Sequence, residues 1–118
     1  MKRILLFFLI YLFSITTSYA NDRDVRLNQL FNELKVNKTN VAANVAQEIW
    51  SLWSTHPTDQ KLTSILDEGS RLVQDRQLNR AISVFSEAIE LDPTWAEAWN
   101  KRATVFYMVG EFQKSQDD

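Results

Sequence analysis

The 118-residue sequence has no cysteine, which excludes disulfides, cysteine-ligated zinc and thiol catalysis. Glycine and proline occur twice each, too few breakers for a loop-rich chain, and no alternating run of Val, Ile and Thr marks a strand. The two glycines stand far apart, so there is no glycine-rich phosphate loop. The single histidine, His56, has no second histidine or tight acidic cluster near it. A metal site needs several convergent ligands, and nucleophilic catalysis needs a base within reach of its nucleophile. His56 therefore reads as a loop residue without chemical consequence. Asp67-Glu68, Glu87 with Glu90, and Asp117-Asp118 read as solvated helix surface. No catalytic residue, metal or cofactor is expected, and the chain does not read as an enzyme. Thirteen Lys and Arg against fifteen Asp and Glu also argue against nucleic acid as a partner, since that surface needs clustered cations.

What is present begins with a leader. Met1-Lys2-Arg3 precedes the apolar run Ile4–Phe13, then polar Ser14–Ser18 and the small-residue pattern Ser18-Tyr19-Ala20. This is the layout of a secretory signal peptide cut after Ala20. The alternative is a retained anchor, but a spanning helix needs roughly 20 apolar residues, more than Ile4–Ile15 supplies. Cleavage removes Lys2 and Arg3 and no acid, taking the net charge from −2 to −4. The expected location is outside the cytoplasm: the periplasm if the source is Gram-negative, otherwise secreted, with no stable membrane span after cleavage.

Residues 21–57 read as an N-terminal helical hairpin. Val25, Leu27, Leu30, Phe31 and Leu34 recur at three-and-four spacing, Asn37-Lys38-Thr39-Asn40 interrupts them, and Val41, Val45, Ile49, Leu52 and Trp53 resume the pattern. Asn40 is the expected N-cap of the second helix. Trp50 and Trp53 are expected in the core, as large aromatics at helical spacing usually are. A shift of 35 places Leu27, Leu30 and Ala46 on Leu62, Ile65 and Ala81, so the hairpin also reads as a worn copy of the unit C-terminal to it. His56-Pro57-Thr58-Asp59 closes it, because the residue before proline is pushed out of helix.

Residues 58–95 and 96–118 are related by a shift of 34. Ile65 falls on Trp99, Gly69 on Ala103, Leu72 on Phe106, Leu78 on Phe112 and Ala81 on Ser115. The first copy reads as a helix from Asp59 to Gln74, a turn at Asp75-Arg76-Gln77, and a helix from Leu78 to Leu91 stopped by Asp92-Pro93. Gly69 lies inside its helix, at about 1 kcal/mol relative to Ala, so a neighbouring helix is expected close against it. Thr94-Trp95-Ala96-Glu97 fits a capping box. A helix through Met108 comes next, with Gly110 as the turn.

A period of about 34 is that of a helix–turn–helix unit that buries its apolar face by stacking on its neighbours. Gly69, Leu72, Ala81, Phe85, Ala88 and Pro93, then Ala96, Trp99, Ala103, Phe106, Gly110 and Phe112, resemble the tetratricopeptide-repeat consensus over residues 62–118. The whole layout resembles small exported bacterial proteins of that family. Arg76 in place of a turn glycine and Ser115 in place of an alanine depart from it. The resemblance implies an all-α, right-handed superhelical array of helical hairpins that binds a protein or peptide partner on its concave face. The residues placed on that face by resemblance are Leu66, Ser70 and Val73, with Thr63 and Gln74, in the first copy, and Glu97, Asn100, Thr104, Tyr107 and Met108 in the second. Leu66 and Ser70 stand where one subset of the family has the Lys and Asn that clamp a C-terminal carboxylate, so that activity is not expected.

The expected function is therefore a non-enzymatic adaptor of the bacterial envelope. Phe112–Asp118 reads as the opening turns of a final helix, which implies a truncated reading frame or an exposed apolar end. A self-associating module that forms a homo-oligomer through that end is the alternative, and an anchored accessory subunit of an envelope complex comes third.

Overall fold

A computed structural model describes residues 22–36 and 39–118. The expected leader and the Asn37-Lys38 part of the first turn lie outside the described residues. Among those described there are six helices and no strand: α1 over 22–35, α2 Thr39–Ser54, α3 Gln60–Gln74, α4 Leu78–Leu91, α5 Ala96–Met108 and α6 Phe112–Asp117. None is long and apolar enough to cross a membrane. The chain divides into two compact units, Met1–Trp53 and Ser54–Asp118.

In the first unit, α1 and α2 close over Leu30, Val45 and Ile49, flanked by Leu27, Leu34, Leu52 and Trp53. These are the three-and-four positions of each helix, which share one side of it. Arg26 donates to both carboxylate oxygens of Glu48 at 2.7 and 2.8 Å, and Arg23 donates to the Leu52 carbonyl at 2.8 Å. Four expected core residues lie elsewhere: Val25, Phe31, Val41 and Trp50 are exposed, the last at 50 %. Trp50 sits five residues after Val45, about 140° further round a 3.6-residue helix. It meets the half-buried Trp53 edge-on, with ring centroids 5.2 Å apart, rather than entering the contact between the helices. The expected cap Asn40 falls inside α2, which starts at Thr39.

The second unit is a pair of hairpins. Asp59 caps α3 by accepting the Lys61 amide at 2.8 Å. From α3, Leu62, Leu66, Gly69 and Leu72 are buried, and from α4, Ala81, Phe85, Ala88 and Ile89. At Gly69 the Phe85 ring of α4 lies close against α3: a Cβ built there would lie 2.3 Å from Phe85 Cε1. That close approach is what the sequence required of it. α5 packs on both α3 and α4, burying Ala98, Val105 and the preceding Trp95, and α6 folds back on α5. Burying side chains such as Phe85, Leu66, Leu72 and Val105 contributes about 1.5–3 kcal/mol each.

The 34-residue repeat extends to individual hydrogen bonds. At the end of α3 the Gln77 amide donates to Leu72 O at 2.8 Å and the Arg76 amide to Val73 O at 3.1 Å. At the end of α5 the Glu111 amide donates to Phe106 O at 2.9 Å and the Gly110 amide to Tyr107 O at 3.1 Å. Both turns use a left-handed residue to bring the chain back onto the last carbonyls, and these are Arg76 at φ 60° and Gly110 at φ 81°. Ser115, which replaces an alanine, donates its hydroxyl to the Ala103 carbonyl at 2.8 Å.

The capping box does not form. Trp95 is the N-cap of α5 and makes no side-chain cap bond. Asp92 Oδ1 instead accepts both the Thr94 amide at 2.9 Å and the Thr94 hydroxyl at 2.6 Å. The carboxylate, two residues earlier, diverts the threonine into a local Asx turn.

Candidate functional site

The candidate face is built on α3 and α5, the first helix of each hairpin. Leu66 does not reach it: at 1 % exposure it belongs to the core with Leu62 and Leu72. Thr63 is buried too, and its Oγ1 accepts the His56 amide at 2.9 Å. Ser70 and Val73 are half-buried and Gln74 is exposed.

On α5 the face is more open. Asn100, Thr104, Tyr107 and Met108 are all exposed, Tyr107 at 67 %. Glu97 is the exception, at 7 % exposure. Its Oε2 accepts from Asn100 Nδ2 at 3.1 Å and its Oε1 lies 3.6 Å from Lys101 Nζ. Ser70 and Thr104, one repeat apart, each donate their hydroxyl to the carbonyl four residues back, at 2.9 Å in both cases. Their protons are committed, and their oxygens remain as acceptors.

The C-terminal end of α5 carries an apolar patch that sequence reasoning only half anticipated. Tyr107 and Phe112 rings pack edge-on with centroids 5.4 Å apart, and Phe112, Met108 and Val109 beside them are exposed. Phe112 was legible as an apolar residue short of cover, but not as a neighbour of Tyr107. Nearer the start of α5, Ala96, Trp99, Asn100, Ala103, Asp117 and Asp118 line an open depression of about 550 Å³. Arg102 braces it: its guanidinium donates to both oxygens of Asp118 at 2.7 and 2.6 Å and to Ser86 Oγ at 3.0 Å. It also lies 5.0 Å from the Trp99 ring centroid. The Asp118 carboxylate raises the Arg102 pKa above its already high ordinary value.

A further cluster has no precursor in the sequence pattern. His56 Nε2 donates to Asp92 Oδ2 at 2.8 Å, and Nδ1 accepts the Asp59 amide at 2.9 Å and the Thr58 amide at 3.3 Å. The ring meets Trp95 edge-on, centroids 5.0 Å apart. The bond from His56, then those from Thr94, hold the Asp92 carboxyl down at about 2. Both ring nitrogens are thus engaged within the protein, the Nδ1 lone pair by two backbone amides. Only topology brings Asp92 to His56, 36 residues later, so no local spacing announces the pair.

Antiparallel helix pairs that repeat every 34 residues, with the same turn hydrogen bonds in each copy, define an α-helical repeat protein. The chain is 31 % identical over 94 residues to a TPR repeat-containing protein of Rhizobium etli, covering 79 % of this chain and 46 % of that one. It is 32 % identical over 101 residues to tetratricopeptide repeat protein 36 of Caenorhabditis elegans, covering 86 % and 55 % respectively. The chain thus spans about half the length of the curated relatives it matches. No family model matches it, and no solved structure does. The repeat geometry and these two relatives support a tetratricopeptide-repeat family for this chain.

Proposed function

We propose that this chain is a non-enzymatic adaptor of the bacterial envelope that binds a protein partner through the exposed face of α5, with Ser70 and Val73 of α3 at its margin. The observation that carries the reading is the Tyr107–Phe112 ring pair with Met108 beside it, exposed next to polar Asn100 and Thr104. Large aromatic side chains in the open supply contact area at little conformational cost, methionine adapts to an irregular partner surface, and the polar neighbours supply direction. The leader-like residues 1–20 support export, and the relatives' names support a repeat of the interaction type.

The experiment is cross-linked capture from envelope extracts with the native protein and a Tyr107→Ala/Met108→Ala variant. At least one captured partner should disappear with the variant while its fold, read by circular dichroism, is unchanged. Survival of every partner would overturn the assignment. Self-association is a second reading, favoured by the open depression beside Trp99 and Ala103. Light scattering over a wide concentration range tests it, and a constant monomer mass rejects it.

A further inference from the structure

The imidazole of His56 is committed on both sides and is only 7 % exposed. Nε2 donates to Asp92, from the α4–α5 turn, and Nδ1 accepts the amides of Thr58 and Asp59. One species satisfies all three bonds, the neutral ring with its proton on Nε2. A second proton has only Nδ1 to go to, and there it would point at two N–H donors. Those amides lie inside the second unit, in the segment that leads into α3, and Asp59 is the N-cap of α3.

We propose that His56 is an acid-sensitive latch on residues 55–59: protonating Nδ1 expels the Thr58 and Asp59 amides, opens that turn and frees the start of α3. The groups facing the ring set which side yields. Asp92 is the charged one, and it stays ionised throughout the range in which imidazoles usually titrate. It therefore holds an imidazolium through Nε2 at least as well as a neutral ring. From α3, Thr63 accepts the His56 amide, and at the start of α5 the Trp95 ring is uncharged. On the His56 turn itself, the Asp59 carboxylate is occupied by the Lys61 amide. The ring thus stays with Asp92 and the turn moves away.

The test is a titration of the ¹⁵N-labelled full chain by nuclear magnetic resonance from about pH 7.5 to 5, the span in which imidazoles usually change charge. Long-range proton–nitrogen spectra read the ring, and hydrogen exchange reads the amides. At neutral pH the ring should be the Nε2–H tautomer. As it gains its second proton, the Thr58 and Asp59 amides should lose about tenfold in protection factor, the equivalent of one hydrogen bond of ordinary net strength. Leu66 and Leu72, deeper in α3, should keep theirs. His56→Asn places a non-titrating oxygen near the position of Nδ1, and its two amides should stay protected over the whole range. An Nδ1–H tautomer at neutral pH, unchanged protection through the ring's titration, or the same loss in His56→Asn would each overturn the proposal. The native titration decides by itself should the variant not fold.

Discussion

Replacing Gly69 with alanine should destabilise the repeat, although helix propensity alone predicts the opposite. In an exposed helix interior Gly→Ala gains about 1 kcal/mol. Here the new methyl would lie 2.3, 2.7 and 2.8 Å from three atoms of the Phe85 ring, where carbon atoms ordinarily rest about 3.5–4.0 Å apart. The ring must move by about 1 Å to restore that spacing, and Phe85 is fully buried in the core. Overpacking of this kind costs about 1–3 kcal/mol, and an overlap with three atoms falls in the upper part of that range. The expected net loss is about 1–2 kcal/mol. Urea unfolding followed by circular dichroism should show a lower midpoint with an unchanged slope, and the melting temperature should fall by about 4–8 °C per kcal/mol. Phe85→Leu removes the ring edge, so the double variant should be more stable than the two single losses predict, by at least about 0.5 kcal/mol. A Gly69→Ala protein as stable as the native one, or strict additivity in the cycle, would refute close approach as the reason for this glycine.

The two turn residues make a matched pair: Arg76→Gly should raise stability by up to about 1 kcal/mol, and Gly110→Ala should lower it by about 1 kcal/mol. Both sit at positive φ, strained for any residue with a Cβ, and nothing lies within 4 Å of a Cβ at Gly110, so chemical denaturation reads backbone strain alone. Asp92 should contribute about 1–2 kcal/mol at neutral pH, a figure discounted for its 24 % exposed side chain. Because the folded carboxyl sits at about 2 against an ordinary 3.8, this contribution is complete above about pH 5 and is lost as pH falls through 2. The stability gap between native and Asp92→Asn proteins should therefore close toward pH 2, and a gap independent of pH would refute the assignment. Arg102→Lys should cost about 1–2 kcal/mol and lower hydrogen-exchange protection in α6, because an ammonium cannot reproduce the fork to Asp118 with its stacking on Trp99; unchanged protection would count against the brace.

Much of the second unit was legible because its signals are local. Pro93 ends α4, α3 starts within one residue of the expected Asp59, and the observed α4, Leu78–Leu91, has the bounds its apolar spacing gives. Gly69 was legible through a mismatch, a helix breaker inside an unbroken pattern, which has few physical explanations. What escaped was decided by competition or by distance. Thr94 carries a capping signature, but the Asp92 carboxylate takes both of its donors first. Trp50 shares a helix with Val45 and Ile49, and the choice between Trp50 and Trp53 for the inner position rests on angle, which residue type does not reveal. His56 looked isolated because its partner lies one whole hairpin further along the chain.

The candidate face shows the same division. A shift of 34 pairs Leu66 with Asn100 and Val73 with Tyr107, and treats the members of each pair as equivalent. The structure separates them: Leu66 is in the core while Asn100 is exposed, and Val73 is half-buried while Tyr107 is mostly in the open. An apolar side chain at such a position can turn inward and gain burial, whereas an amide or a phenol there keeps its polar atoms in water. The first helix thus contributes mainly packing and the second mainly surface. Any partner held by this pair of repeats should lose more affinity from changes on α5, at Asn100, Thr104, Tyr107 or Met108, than from changes at Ser70, Val73 or Gln74. Equal losses from the two helices would refute this division, since Ser70, Val73 and Gln74 would then contribute as much contact as the open face of α5.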